Sequence, residues 1–273
     1  MALVIKNNLM AENAARHLSK SYDSLSKSVE RLSSGLRINS AKDDAAGLAV
    51  RELMRADIAV LQQGSRNAQD GISLLQTMEG ALATIDDILI RMQQLAEQAA
   101  TGSYSSSQRA IMHNEFSEMR QEVDRIATAT KFNDISMLDD TATVSIHFGE
   151  LTSDKIDISG SIMTSASAGL NLTGLGIDAT GCAKTALGRL ESAINTKDTA
   201  RAKFGYKMNR LSGTSDVLNI QAENLLSAES RISDVDVATE MAQMTRNQVL
   251  AQAGISMLAQ ANTMPQMALQ LLR

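Results

Sequence analysis

The chain has 273 residues; 44% are hydrophobic but only 3% aromatic, and it contains no Trp, one Pro and one Cys. The formal net charge is -5, without any basic cluster, which argues against nucleic acid as a partner. The single cysteine, Cys182, excludes an intrachain disulfide, and no uncharged apolar run is long enough to span a membrane.

Ala, Leu, Met, Gln and Ser outnumber the strand formers, which predicts long helices packed through small and flexible side chains. The start, MALVIKNNLM, lacks the apolar run and cleavage site of a secretory signal, so if the protein leaves the cell it is expected to do so without a cleaved signal. Ala11, Ala15, Leu18, Tyr22, Leu25, Val29 and Leu32 then step by four and three. That is the period of a helix face packed on another helix. Residues 6–33 are therefore expected to be helical. Gly35 is the expected stop, since glycine takes the left-handed conformation freely.

Ser40-Ala41-Lys42-Asp43 resembles a capping box that begins the next helix. Its apolar face runs from Met54 and Ile58 through Leu75, Met78, Leu82, Ile85, Leu89 and Met92 to Ala99. Unbroken, this helix over 43–100 is about 87 Å long. A 273-residue globule has a radius of gyration of about 19 Å, so a rod is expected. Gly64, Gly71 and Gly80 keep a second reading open, two helices with a kink near Gly64. Ser105 with Gln108 suggests another cap. Met112, Phe116, Met119, Val123 and Ile126 carry a third helix to Lys131, antiparallel to the second.

The texture changes at 140. Val144, Ile146 and Phe148 alternate with polar residues, Gly149-Glu150 has turn chemistry, and Lys155-Ile156-Asp157-Ile158 alternates again. This pattern predicts a β-hairpin, followed by a Ser/Gly/Thr-rich loop to about 180. Helical periodicity returns with Leu187, Leu190, Ile194, Phe204, Met208, Leu211 and Leu218. Lys197 and Arg201 interrupt it, which leaves a break near 197 open.

Between Arg246 and Arg273 there is no charged side chain. Leu250, Gly254, Met257, Ala261, Met264, Ala268 and Leu271 alternate by four and three, and Ala251, Ile255, Leu258, Leu269 and Leu272 form a second stripe beside them. A solvated helix carries Lys and Glu outward, and a membrane helix avoids so many amides. Two readings remain: a core helix of a globular domain, or a terminal helix buried only in an assembly of many copies. The two end helices have similar lengths and one seam each, so they are expected to pair with each other. Chargeless ends on a rod invite head-to-tail stacking into a helical filament. Burial of apolar area, at about 25 cal/mol per Å², drives it.

Chemistry is sparse. His17, His113 and His147 sit in three elements without ligand spacing, so no metal is expected. Asp43-Asp44, Asp86-Asp87 and Asp139-Asp140 are adjacent pairs, which point to different faces and read as caps or solvated charge. No glycine-rich phosphate loop is present, no cofactor is expected, and no residues suggest an enzyme.

Four stretches carry a family resemblance. Glu30–Gly47 (ERLSSGLRINSAKDDAAG) and Ser65–Ile72 (SRNAQDGI) resemble the N-terminal signature of bacterial flagellin. Ser230–Glu240 (SRISDVDVATE) and Gln252–Asn262 (QAGISMLAQAN) resemble its C-terminal signature, as does the closing Leu271-Leu272-Arg273. The match is colinear over about 1–140 and 181–273, as in a short flagellin without large outer domains. The resemblance implies a mainly α fold: an elongated rod with a terminal-helix coiled coil, a long-helix bundle and a small β-hairpin insert. The implied domains are 1–42 with 234–273, 43–139 with 181–233, and a variable region at 140–180.

The resemblance also implies function. The chain would be a structural subunit of the extracellular flagellar filament, exported unfolded by the flagellar type III apparatus. A chaperone would hold the C-terminal segment, and polymerisation would proceed beneath a cap protein, next to junction proteins. Leu18, Tyr22, Leu25, Val29, Leu32, Leu250, Ile255, Met257, Leu258, Met264 and Leu271 are the expected coil and polymerisation residues. The motif read by the host Toll-like receptor for flagellin maps to Arg91, Leu95 and Glu115. The C-terminal leucines read by inflammasome sensors map to Leu269, Leu271 and Leu272. The alternatives are a hook-filament junction protein, a secreted type III translocator-like protein, or a chemoreceptor-like hairpin, the last of which would need a membrane anchor.

Overall fold

The computed structural model describes residues 8–149 and 151–271, with side chains at all of these except 266 and 268–271. Over the described residues the chain is mainly α. The order is α1 (Leu9–Ser34), α2 (Ala45–Ala100), α3 (Ser106–Ala129), β1 (Lys131–Phe132), β2 (Ile135–Ser136), β3 (Thr143–His147), β4 (Lys155–Ser159), α4 (Thr180–Ser233) and α5 (Val237–Leu271). Contacts divide these elements into two units. One ends at Ala56 and resumes at Asn224; the other is Asp57–Glu223. The division thus falls inside α2 and α4, a few turns away from the helix ends where the sequence pattern changes.

In the Asp57–Glu223 unit, α2, α3 and α4 share one core. Leu75, Met78, Leu82, Ile85, Leu89 and Met92 are fully buried on one face of α2, at the spacing the sequence predicted. Phe116 and Val123 of α3 and Leu190, Phe204 and Leu211 of α4 close the core. Helix α3 starts on a complete capping box: the Ser105 hydroxyl accepts from Gln108 N, and the Gln108 amide accepts from Ser105 N.

The kink near Gly64 is absent, because α2 is continuous. The glycines there serve the neighbouring hairpin. A Cβ on Gly64 would lie 2.2 Å from the Phe148 carbonyl oxygen, and one on Gly71 would lie 3.0 Å from Ile146 Cγ1. Between them, the Asn67 amide donates to the His147 carbonyl at 2.8 Å. Residues 64, 67 and 71 share one face of the helix, so they form a seat for backbone. The hairpin itself is antiparallel, with Ile146 opposite Ile156 and Val144 opposite Ile158. Ile156 and Ile158 are buried. Of the expected turn, Gly149 stacks on Asp154 and Glu150 lies outside the described residues.

The break near 197 is absent too. Helix α4 runs straight through, and Lys197, whose side chain is only 2% exposed, is held by Asp86 at 2.5 Å and Asp198 at 2.7 Å. Burial alone would push this ammonium down. The two carboxylates, Asp198 and Asp86, outweigh it and hold the Lys197 pKa above its ordinary value. Removing one partner from a buried pair is far costlier than losing an exposed one. Asp86→Ala leaves Lys197 only the more exposed Asp198 and should therefore lower stability by about 2 kcal/mol, as for a lost hydrogen bond to a charged group. Arg201→Ala, which breaks the exposed pair with Glu79, should cost less than about 1 kcal/mol. Urea unfolding followed by circular dichroism checks both; equal costs would remove the special standing of Lys197.

Two features were not anticipated. Asn133 and Asp134, both in the left-handed region at φ 48° and 63°, turn β1 back on β2. Two positive-φ residues in a two-residue loop are a type I′ turn, which Asn and Asp tolerate. The segment after β4 is also packed rather than loose. Met163, Leu170, Leu172, Leu175 and Ile177 are buried. Helix α3 ties this segment down from Asp124, which accepts from Ser165 N and Oγ at 2.6 and 2.7 Å, and from His113 Nδ1, which accepts from Ile177 N at 3.3 Å.

Candidate assembly surface on the paired terminal helices

In the other unit, α1 and α5 lie side by side and antiparallel. Asn8 meets Ala261, Leu18 meets Gly254, and Arg31 meets Glu240. The turn that follows α1 is set locally. Gly35, at φ 73°, ends the helix in the left-handed conformation and donates its N–H to Arg31 O. The chain then pairs with the α4–α5 junction: Arg37 N donates to Ser233 O and Val235 N to Gly35 O. The expected capping box at Ser40–Asp43 is instead a turn. The Asp43 carboxylate accepts from Asn39 N and Ser40 N, and Asp44 caps α2 by accepting from Gly47 N at 2.9 Å. Lys27 reaches Asp43 at 2.6 Å, and this hydrogen bond, against the opposing pull of burial, lowers the Asp43 pKa to about 2.

The far end of the pair is fastened by one side chain. Pro265 lies inside α5 and has no N–H, so the carbonyl of Ala261, four residues back, loses its helical donor. Asn8 Nδ2 donates to that carbonyl at 2.7 Å, while Asn8 Oδ1 accepts from Ala11 N and caps α1. Asn8→Asp keeps the cap but turns a donor into an acceptor facing a carbonyl. It should cost about 1–2 kcal/mol in urea unfolding, as expected for a hydrogen bond lost at a partly buried site. Wild-type stability in that variant would contradict the fastening role.

The seam between the helices is built from small residues. On α1, the half-buried or buried positions are Ala11, Ala14, Leu18, Ser21, Leu25, Ser28, Arg31 and Leu32. On α5 they include Ala251, Gly254, Leu258, Ala261 and Met264. A Cβ on Gly254 would sit 3.1 Å from Leu18 Cδ1, so a glycine is what admits the leucine. The heptad of Ala11, Leu18, Leu25 and Leu32 is the one the sequence indicated. Its companion column is Ala14, Ser21 and Ser28, in place of the Ala15, Tyr22 and Val29 that the four-and-three steps predict. Small side chains there let the two backbones approach, and the larger apolar residues turn outward.

The consequence is an apolar exterior. Tyr22 is 48% exposed, Val29 50%, Leu250 47%, Ile255 49% and Met257 64%. Leu9, Met10, Val237, Met241, Val249 and Met267 are exposed as well, although nothing in the periodicity had singled them out. Only the choice of seam identifies them. Apolar surface of this kind makes the outward face of the pair a candidate for association.

Residues 5–143 match the family model described as the bacterial flagellin N-terminal helical region, and residues 187–272 match that of the C-terminal helical region. The chain belongs to the flagellin family. It is 43% identical to a flagellin of Halalkalibacterium halodurans over 99% of this chain and 100% of that one. It is 42% identical to the flagellar filament 33 kDa core protein of Treponema phagedenis, over 99% and 100% respectively. It is 40% identical to a flagellin of Bacillus subtilis strain 168, over 98% and 99%. The two flagellin regions leave 144–186 unmatched, the stretch that holds most of the hairpin and the packed loop.

Other flagellin residues singled out by the sequence are placed as follows. Arg91 and Glu115 form an exposed ion pair at 2.8 Å between α2 and α3. Leu95 does not join them at the surface: it is 2% exposed, turned into the core beside Met92 and Ala96. The side chains of Leu269 and Leu271, and the whole of Leu272, lie outside the described residues. The adjacent aspartates have local or ion-pair partners: Asp44 caps α2, Asp86 holds Lys197, Asp139 accepts from Ser136 Oγ, and Asp140 accepts from Thr141 N. Among the described residues, no cluster of His, Cys, Asp or Glu has the grouping of a metal site.

Proposed function

We propose that this flagellin is a structural subunit of the flagellar filament, and that copies polymerise through the outward apolar faces of α1 and α5. The observation that carries this reading is the inverted arrangement of the helix pair. Small residues occupy its seam, while Tyr22, Val29, Leu250, Ile255 and Met257 face out. Water is a poor neighbour for that surface, and each buried Å² contributes about 25 cal/mol. Head-to-tail contacts that do not close extend as a helical polymer rather than a ring. Full-length similarity to a protein named a flagellar filament core protein supports the filament over a junction protein or a translocator. A structural role of this kind needs no catalytic centre.

The same reading places the polymer outside the cell. It extends, through the family resemblance, to a secretion chaperone on the C-terminal segment, a cap protein, junction proteins and a host Toll-like receptor. For the receptor, the exposed Arg91–Glu115 pair is the accessible part of the motif. The polymer reading is tested by adding purified chain to fragments of its own filaments. Elongation seen by electron microscopy supports it; no growth across a range of salt and temperature counts against it.

A further inference from the structure

We propose that Met10, Met257 and Met264 form an oxidation site, and that a peroxide acting there stops the chain from joining a polymer. The proposal rests on the assembly reading above and adds a chemical control to it. The three methionines line one mainly apolar groove of about 320 Å³ between α1 and α5, with Leu9, Ala14 and Ala261 and the amides of Asn13 and Gln260 making up the rest of its walls. Met10 and Met257 are exposed, and Met264 is half-buried. By contrast, Met78, Met92, Met137 and Met163 are fully buried in the other unit. The same residue type therefore occurs in two environments, one open to a small oxidant and one closed to it.

The reaction is an oxygen-atom transfer. A thioether sulfur lone pair attacks one oxygen of hydrogen peroxide and the O–O bond breaks. A proton moves to the departing oxygen, which leaves as water. Sulfur loses two electrons in becoming a sulfoxide, and the peroxide gains them. The product is a polar S=O group on what had been an apolar side chain. No charged side chain lies on α5 between Arg246 and this groove, so the wall that a neighbouring copy would cover stays apolar only while its sulfurs stay reduced. A copy covering the groove would then bury polar oxygen where it had met apolar sulfur, with only the Asn13 and Gln260 amides of this wall as donors, and that opposes the contact. Once a second copy covers the groove, the same sulfurs are shielded, so oxidation acts on free subunits and spares assembled ones.

The test uses the full chain and hydrogen peroxide. Peptide mass spectrometry of free chain should find Met10 and Met257 oxidised at least about tenfold faster than Met78 and Met92, as exposure dictates. Equal rates would overturn the site whatever happens to assembly. Oxidised chain should then elongate seeds at least about tenfold more slowly than untreated chain, with unchanged helicity. A variant with Met10→Leu, Met257→Leu and Met264→Leu, compared with wild type in a shared Met241→Leu, Met267→Leu background so that the other exposed methionines of α5 do not react, conserves volume and should elongate normally both before and after peroxide. Unimpaired growth of oxidised wild-type chain, or equal loss in the leucine variant, would overturn the proposal. If untreated chain fails to elongate, the assembly reading falls and this control falls with it.

Discussion

Ile255→Asp should abolish elongation onto filament seeds while leaving the free chain folded. Ile255 is about half exposed and lies off the α1–α5 seam, so a carboxylate there is solvated in the free chain. In a polymer it would be buried within a stretch that holds no cation from Asn247 to Leu272. Burying an unpaired carboxylate costs several kcal/mol even after relaxation. At 1.4 kcal/mol per factor of ten, about 4 kcal/mol raises the subunit concentration needed for growth roughly a thousandfold. Leu258→Asp is the instructive partner. Leu258 is half-buried on the seam, so that substitution should also loosen α1 from α5 in the free chain. Sedimentation of seeded polymer measures the first effect, and urea unfolding of unpolymerised chain separates the two variants. If Ile255→Asp grows at the wild-type concentration, the outward face of α5 is not the contact surface.

Gly64→Ala should destabilise the chain by about 2 kcal/mol, opposite in sign to what helix propensity dictates. An Ala in mid-helix is ordinarily more favourable than Gly by about 1 kcal/mol. Here the added methyl would lie 2.2 Å from the Phe148 carbonyl oxygen and 2.8 Å from its carbon. Both are backbone atoms, which cannot swing aside as a side chain end can. The hairpin must lift away, losing the Asn67 bond to the His147 carbonyl, and overpacking of this kind costs about 1–3 kcal/mol beyond the propensity gain. Gly80→Ala provides the opposite case, since a Cβ there meets nothing within 4 Å. It should stabilise by up to about 1 kcal/mol. Urea midpoints of the two variants should therefore move in opposite directions, and hydrogen exchange of β3 and β4 should quicken only in Gly64→Ala. Parallel shifts would mean that the hairpin does not depend on the glycine.

What short-range chemistry encodes could be read from the letters. The left-handed stop at Gly35, the capping box at Ser105 and Gln108, the alternation of Val144, Ile146, Ile156 and Ile158, and the apolar face from Leu75 to Met92 each depend on residues within a few positions of one another. The flagellin motifs were legible for the same reason. The β1–β2 turn left a comparable signal in Asn133-Asp134, but two-residue strands are too short for periodicity to announce.

Distant partners decided the rest, and a chain read in order does not name them. Lys197 looks like an interruption until Asp86, far away on α2, lies 2.5 Å from it. Gly64 looks like a weak point until the Phe148 carbonyl rests on it. Helix α1 carries two candidate columns beside the same heptad, one of small residues and one of large. Periodicity cannot choose between them, because both satisfy it. Close approach of α5 chooses Ala14, Ser21 and Ser28, and that choice turns Tyr22 and Val29 outward. Helix periods and caps follow from local hydrogen bonding and local sterics, whereas the face left for other molecules follows from which two surfaces fit closest.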